Sequence, residues 1–287
     1  MSDKFPIIFV HNGNSNYLKY SLHQAKIMNP EAEIILLGDE KNNKYDFVSH
    51  FLIRDFYMSA SEFEIAYLHL STNNYQIELF CFQRWFVIRE FLESIKKEQF
   101  CYLDSDVLIF TDLLSCFQNI KGVDITVCNK IGPQYTFISS KNVLDRFCHF
   151  IFSMFTDEKL KAHYIQFFNE RKSKGLEGGV SDMLAVADFI GASSLSVLDL
   201  GDIRSGTVFD DNISFSQGFE MGERGKKIYW ENGAPYGKHL ETGEIIRFNA
   251  LHFQGPAKSE IDKYYTGKNF RWDRFKRRFR RFRKGMK

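Results

Sequence analysis

Little in this sequence marks an exported or disulfide-stabilised protein. Its five cysteines are odd in number and include no Cys-x-x-Cys pair, which argues against a disulfide framework and against a thiolate zinc site. No run of about 18 uncharged apolar residues occurs, and the first residues lack the pattern of a signal peptide. We therefore expect a protein of the reducing cytoplasm that has no membrane-spanning helix.

Charge is balanced over the whole chain but not along it. Residues 268–287 contain eleven Lys or Arg and a single acid, Asp273, which gives this segment a charge of +10. Because the formal charge of the whole chain is +2, the other 267 residues together carry −8. The basic character therefore belongs to a tail, and the hydrophobic content of 44% is ample for a folded core in the rest.

The first forty residues predict a strand, a helix and a second strand. Pro6–Val10 is apolar throughout, apolar residues recur at three- and four-residue spacings over 17–28, and a second apolar run over 33–39 ends on Asp39. Such a unit is typical of a parallel α/β sheet, where ligands bind beyond the carboxyl ends of the strands. His11 and Asn12, which follow the first strand, are therefore candidate nucleotide-binding residues together with Asp39.

The rest of the chain predicts a single compact unit. The pattern indicates a largely helical stretch over 62–93 with a break near 71–74, strands at 45–53, 100–103, 124–128 and 135–139, and helices over 142–155 and from about 181. Beyond residue 200 we expect short strands and hairpins. We assign a catalytic domain to 1–258, with a nucleotide-binding half over 1–130 and an acceptor half over 131–258, and a basic amphipathic tail to 259–287.

Two carboxylates stand at the end of the predicted strand 100–103. Asp104 and Asp106 follow four apolar residues and precede four more, so both acids lie beside the core, where unpaired charge is costly. A hard divalent ion explains the pair, because Mg²⁺ or Mn²⁺ prefers carboxylate and phosphate oxygens. We predict that Asp106 ligates the metal, and that Asp104 either shares the metal or accepts a hydrogen bond from a ribose. The alternative is a pair that only caps the next element.

A second motif near the end of the domain has the form His-x-x-Gly-x-x-Lys. A neutral imidazole of His252 can ligate a metal, Gly255 permits close approach of the backbone to a phosphate, and Lys258 can neutralise a departing diphosphate. A structural histidine is the alternative. Together with the upstream acids, the motif predicts a site for a metal and a diphosphate.

These motifs resemble those of nucleotide-sugar glycosyltransferases of the GT-A fold, within the glycogenin-like and bacterial lipopolysaccharide galactosyltransferase group. Asp104, Asp106 and His252 match the metal ligands of that group in this resemblance. Gly255 and Lys258 match its diphosphate contacts. The resemblance implies a Rossmann-like mixed sheet flanked by helices, and a transferase that uses Mn²⁺ or Mg²⁺.

The resemblance also implies the substrates. Tyr17, after the polar loop and at the start of the first helix, falls where this group places contacts to the nucleotide base, so UDP-sugar is the expected donor. The implied acceptor is a surface glycan, lipopolysaccharide or capsule-type glycan, or a lipid-linked sugar. The donor sugar and the stereochemical outcome stay open.

Asp182 and Lys258 are the candidate catalytic residues. Asp182 follows a glycine-rich loop, and it could serve as a general base if the reaction inverts, or orient the donor or acceptor if it retains. The alternative is an acid that complements the helix dipole. Arg84 on the preceding apolar helix could reach the donor or pair with an acid, whereas Trp85 beside it is expected in the core. Asp210, Asp211 and Trp230 are possible acceptor-side residues.

Two other functions fit parts of the sequence. A magnesium phosphohydrolase of the haloacid dehalogenase type would use Asp104 as nucleophile, Asp106 as acid/base, and Asp210 with Asp211 as a distal acidic pair. That interpretation leaves the motif from His252 to Lys258 unexplained. A catalytically inactive nucleotide-sugar-binding protein is the second alternative.

The tail predicts a membrane-surface helix. Its bulky apolar residues recur at spacings of 3, 4, 3 and 4 among Arg and Lys, which describes a helix drawn to anionic lipid. These residues are Trp272, Phe275, Phe279, Phe282 and Met286. We expect a cytoplasmic protein held on the inner face of the plasma membrane and not bound to nucleic acid. A helix docked on the protein and a nucleic-acid-binding arm are the alternatives.

Overall fold

Strands and helices alternate in the first part of the chain, and short strands dominate the last part. The structure, a computed structural model, describes residues 4–118 and 120–267. The strands are β1 Pro6–Val10, β2 Glu33–Gly38, β3 Ser49–Leu52, β4 Phe100–Leu103, β5 Val107–Ile109, β6 Ile125–Val127, β7 Tyr135–Ile138, β8 Val197–Asp199, β9 Thr207–Phe209, β10 Met221–Gly222, β11 Gly225–Lys226, β12 Tyr229–Glu231, β13 Ala234–Lys238 and β14 Ile245–His252. The helices are α1 Leu18–Met28, α2 Met58–Ala66, α3 Tyr75–Ile95, α4 Leu113–Gln118, α5 Lys141–Thr156, α6 Glu158–Ser173 and α7 Asp182–Gly191, with 3₁₀ helices at Ile53–Phe56 and Gly255–Lys263.

The main sheet has seven strands in the order β3-β2-β1-β4-β7-β6-β8. The first four run parallel to one another, β7 runs antiparallel to both of its neighbours, and β6 pairs in parallel with β8. The parallel unit β1-α1-β2 is the strand-helix-strand unit predicted from the sequence. Alternate residues of β1 face two helical layers, since Ile8 and Val10 share a core with α3, α5 and α7, while Ile7 and Phe9 share one with α1. A mixed α/β sheet flanked by helices is thereby confirmed.

A second sheet lies beside the first. Its order is β12-β13-β14-β5, and β9 pairs in parallel with β14. β5 begins only four residues after β4 ends, so the chain passes from one sheet to the other across the two acids. The core of this second sheet is rich in phenylalanine and includes Phe110, Phe219, Phe248 and Phe253.

The helices differ from the sequence-based prediction in two places. The stretch over 62–93 is two helices, because the Asn74 side chain caps α3 by accepting hydrogen bonds from the Gln76 and Ile77 backbone N–H groups at 3.0 and 3.2 Å. α6 was not predicted. Tyr164 is its one fully buried residue, so its apolar stripe is too thin to be prominent in the sequence.

The chain beyond the predicted domain end packs on the body as far as it is described. Tyr265 contacts Tyr20 with ring centroids 5.3 Å apart, and the Gln24 amide donates to the Thr266 hydroxyl at 3.0 Å. The predicted tail helix over 268–287 lies outside the described residues. Among the residues that are described, no helix combines the length and the apolar character needed to cross a membrane.

Candidate metal and nucleotide site

The carboxyl ends of three neighbouring parallel strands carry the predicted nucleotide-side residues. β1 lies between β2 and β4, so His11, Asp39 and Asp104, each of which follows one of these strands, reach the same edge of the sheet. This arrangement follows from parallel pairing alone.

Antiparallel pairing of β14 with β5 brings His252 to the acids. In this register His252 lies opposite Val107, and the Phe253 backbone N–H donates to the Asp106 carbonyl at 2.9 Å. One ligand atom from each of Asp104, Asp106 and His252 lies within 4.8 Å of the other two. Two distant segments of the chain thus meet in one cluster.

The Asp106 carboxylate is buried and faces two cationic groups. His252 Nε2 lies 3.5 Å from Oδ1, and Lys258 Nζ lies 3.0 Å from Oδ2. Burial alone would raise the pKa of Asp106, but the charges of His252 and Lys258 outweigh it and lower the pKa to about 2. Burial lowers the pKa of His252, but Asp106 outweighs this effect and raises the pKa to about 9. His252 and Lys258 thus balance the charge of the Asp106 carboxylate.

The other side of the His252 ring is held by the segment after β9. Nδ1 lies 2.5 Å from the Asp211 carbonyl oxygen, which can only accept, so Nδ1 donates. Nε2 therefore faces Asp106. A metal-ligating histidine is commonly oriented through its second nitrogen in this way.

Asp104 is held by two donors, Arg84, which was predicted to reach the donor or pair with an acid, and Tyr102, which was not singled out from the sequence. Arg84 Nη1 donates to Asp104 Oδ1 at 2.8 Å, and the Tyr102 hydroxyl also donates to Oδ1. Both contacts use Oδ1, which leaves Oδ2 as the oxygen for a metal or a ribose. Tyr102 was not predicted as a site residue because, in the sequence, it belongs to an apolar strand and has the pattern of a core residue.

Asp182 lies inside the protein and pairs with α3. Its side chain accepts hydrogen bonds from Arg84 and, at 3.3 Å, from Trp85 Nε1, and the residue is 3% exposed. Burial raises the pKa of Asp182, although Arg84 opposes this shift. Arg84 thus bridges Asp182 to Asp104, and Trp85 lies in the core as expected.

The residues predicted to bind the nucleotide differ in burial and in their contacts. His11 is buried, with Nδ1 2.9 Å from the Ser105 hydroxyl and its ring edge-on to Tyr17. Lys258 Nζ lies 5.4 Å from the centre of the Tyr17 ring, so this ring borders the diphosphate motif. Asp39 accepts from the Gly13 backbone N–H at 2.8 Å and holds the loop, while Asn12 is exposed.

Gly255 lies in the left-handed backbone region and borders open space. Its φ is +61°, which favours glycine, and no heavy atom lies within 4 Å of the position that a Cβ would occupy. The space beside this backbone is therefore open to a ligand.

The possible acceptor-side residues have defined contacts. Asp210 forms a buried ion pair with Lys226, whereas the Asp211 carboxylate accepts from amide side chains, among them Gln134 at 2.9 Å. Trp230 packs edge-on against Phe110. The phosphohydrolase alternative would use Asp210 and Asp211 as a distal acidic pair. Because Asp210 is paired with Lys226, its contacts do not favour this alternative over the transferase.

The donor set suits a hard divalent ion. Two carboxylates and one imidazole match the oxygen and nitrogen ligands that Mn²⁺ accepts, and Mg²⁺ shares the preference for carboxylate. Three protein ligands leave coordination positions for diphosphate oxygens. The residues present therefore fit the predicted metal.

No protein-family model matches this chain, and no curated protein matches its sequence. Several solved glycosyltransferase structures are similar to this chain. The galactosyltransferase LgtC, solved with donor and acceptor sugar analogues, is 14% identical with a TM-score of 0.46 over 94% of this chain and 99% of LgtC. Mouse xyloside xylosyltransferase 1 is 9% identical with a TM-score of 0.43 over 71% of this chain and 87% of that one.

The bifunctional glycosyltransferase WbbM is 9% identical, with a TM-score of 0.49 over 96% of this chain and 52% of WbbM. The function proposed below is argued from the residues of the site.

Proposed function

We propose that this protein is a metal-dependent glycosyltransferase that transfers a sugar from a nucleoside diphosphate donor, with UDP as the expected nucleotide. The convergence of Asp104, Asp106 and His252, with Lys258 on the same carboxylate, is the observation that carries the proposal. Neither motif by itself would make the case. Their meeting across the β5–β14 pair would join the proposed metal site to the proposed diphosphate site.

The residues of this chain have separable tasks in the reaction. A bound divalent ion would offset the negative charge of the departing diphosphate. Lys258, which lies beside Asp106, would contact the diphosphate, so that its charge stabilises the leaving group. Tyr17 and His11 would border the nucleoside, and the open backbone at Gly255 would admit the phosphates.

For Asp182 we propose an orienting task. Because it is buried and bound to Arg84, it is not placed as a free base for an acceptor hydroxyl. Through Arg84 it would fix the direction of the Asp104 carboxylate. The acceptor would be a glycan or a lipid-linked sugar, with the basic tail drawing the enzyme to an anionic membrane surface.

A thermal-shift screen tests the nucleotide and the metal together. UDP with Mn²⁺ should raise the melting temperature more than either alone, and more than GDP or CDP with Mn²⁺, because a ligand of the folded state stabilises it. Asp106→Asn should abolish the joint effect, while Asp202→Asn, at an exposed surface acid, should retain it. An unchanged joint effect of UDP and Mn²⁺ in Asp106→Asn would refute the metal site.

The products released from nucleotide sugars and phosphate esters distinguish a transferase from a phosphohydrolase and from an inactive binding protein. Incubation with Mn²⁺ and a panel of nucleotide sugars should release free UDP, and phosphate esters should yield no inorganic phosphate. Release of phosphate instead would indicate a phosphohydrolase. Tight metal-dependent UDP binding without release from any donor would indicate an inactive binding protein.

A further inference from the structure

Lys226 is a buried lysine for which the proposed reaction has no use. Its side chain is 1% exposed, and that of its partner Asp210 is fully buried. Nζ donates to Asp210 Oδ1 at 2.6 Å, to the Asn212 carbonyl at 2.7 Å and to Gln217 Oε1 at 2.6 Å. All three ammonium protons are therefore used, as the burial of such a charge requires.

The same ion pair reaches His252 in one step. While Lys226 holds Asp210 Oδ1, the other oxygen, Oδ2, accepts the His252 backbone N–H at 3.2 Å. The next residue, Asp211, accepts from the imidazole through its carbonyl oxygen. Both the backbone and the ring of His252 are thus fixed by a two-residue segment that Lys226 anchors.

We propose that Lys226 and Asp210 are positioning residues that hold His252 in the orientation for metal binding. The hairpin of β10 and β11 would then contribute to metal affinity without contacting the metal. This inference rests on the proposed metal site. Outer contacts of a ligating histidine typically change metal affinity by about 10- to 100-fold when they are lost.

A purely structural ion pair makes a different prediction. If Lys226 only fastened the hairpin to the body, its loss would lower the melting temperature but leave the metal affinity of the folded protein unchanged. Metal affinity measured on folded protein therefore distinguishes positioning from simple stabilisation.

The test is a titration of Mn²⁺ into the full chain by calorimetry, with and without saturating UDP. Lys226→Met should weaken Mn²⁺ binding by about 10- to 100-fold. Lys227→Met is the matched control, because Lys227 is the next residue but forms an exposed ion pair with Glu220 at 2.8 Å. The control should bind Mn²⁺ within about twofold of the unmodified chain. Equal affinities for Lys226→Met and the control would overturn the inference.

A double variant keeps the test valid if Lys226→Met folds poorly. Lys226→Met with Asp210→Leu removes both buried charges, which should restore stability. It still lacks the acceptor for the His252 N–H, so Mn²⁺ affinity should stay about tenfold or more below normal. Recovery of both stability and affinity would reduce the pair to a structural role.

The two proposals fail in distinguishable ways. If the unmodified chain binds no Mn²⁺ with or without UDP, the proposed function and this inference are both refuted. If the unmodified chain and Lys226→Met bind Mn²⁺ equally, only the positioning role is refuted.

Discussion

At the scale of single residues, Asp106 would connect the proposed metal site to the proposed diphosphate site. Lys258 Nζ lies 3.0 Å from its Oδ2, while His252 approaches Oδ1. In the proposed site, a metal ion would therefore compete with Lys258 for one carboxylate. This competition makes the tasks of the three residues separable by substitution.

We expect Lys258→Met to lower donor turnover by about 100-fold, because a positioned cation at a developing negative charge is removed. Binding of Mn²⁺ without nucleotide should not weaken, since a competitor for Asp106 is lost. Measured rates of UDP release and Mn²⁺ titrations check both parts. The control Lys263→Met lies on the same 3₁₀ helix, where Lys263 pairs with Glu260. A parallel loss of metal binding in Lys258→Met would contradict the assignment.

His11 predicts a pH dependence of stability. Burial, helped by Lys258, lowers the pKa of His11 to about 4 from the ordinary 6.5, although Asp106 and Asp39 oppose the shift. Between these two values the unfolded chain binds a proton that the folded chain does not. The contribution of His11 to the free energy of unfolding is therefore complete above pH 6.5 and is lost as the pH falls towards 4.

The expected loss over this window is at most about 3 kcal/mol, from a shift of this size at about 1.4 kcal/mol per pKa unit. His11→Gln should make the free energy of unfolding depend less on pH, whereas His163→Gln, at an exposed position, should leave this dependence unchanged. Urea denaturation at pH 7, 6, 5 and 4 measures the free energy of unfolding of each variant. An unchanged slope in His11→Gln would show that other groups cause the acid sensitivity.

At the scale of elements, Arg84 joins α3 to the start of α7 and to the end of β4. It donates to Asp182 and to Asp104, and it is 8% exposed. The packing of three elements thus converges on one guanidinium. Removing one partner of such a network leaves buried carboxylates without compensation.

Arg84→Met should lower the free energy of unfolding by about 3–5 kcal/mol. Adding Asp182→Leu should recover part of this loss, because one stranded carboxylate is then removed. Arg89→Met, farther along α3 at a half-buried position that bonds Ser59, should cost about 1 kcal/mol. Denaturant titrations supply all three values. A loss in Arg84→Met no larger than in Arg89→Met would refute the role of Arg84 as the link.

At the scale of the whole molecule, charge is divided between the body and the tail. Residues 268–287 carry +10 and the remainder −8. An acidic body with a basic tail can approach an anionic surface through the tail. Binding of this kind is electrostatic and is weakened by salt.

The full chain should bind vesicles that contain anionic phospholipid, and substitution of Arg277, Arg278, Arg280 and Arg281 by Gln should weaken binding by about 10³-fold, at about 1 kcal/mol per basic residue. The control replaces four exposed lysines of the body, Lys121, Lys159, Lys172 and Lys174, by Gln. Vesicle sedimentation measures both variants. Equal binding of the two variants would refute a membrane role for the tail, and binding to RNA but not to vesicles would favour the nucleic-acid alternative.

Local sequence patterns were sufficient for several features. The apolar run before Asp104 and the alternation of strand and helix over the first forty residues depend on neighbours along the chain, and the structure has both. The residues of the His-x-x-Gly-x-x-Lys motif could also be recognised, since the chemistry of His252, Gly255 and Lys258 is apparent from their types and spacing. α6 was missed because its burial comes from contacts with α5 rather than from a strong stripe of its own.

The sequence by itself therefore determined which groups could bind a metal and a diphosphate, and which strand ends would carry them. Tertiary structure alone decided that His252 lies opposite Val107, that Arg84 joins Asp104 to Asp182, and that Lys226 reaches Asp210. The physical reason is that strand pairing and buried ion pairs depend on packing between segments far apart in the chain. Periodicity reports which face of an element is buried, but it does not report which distant side chain that face will meet.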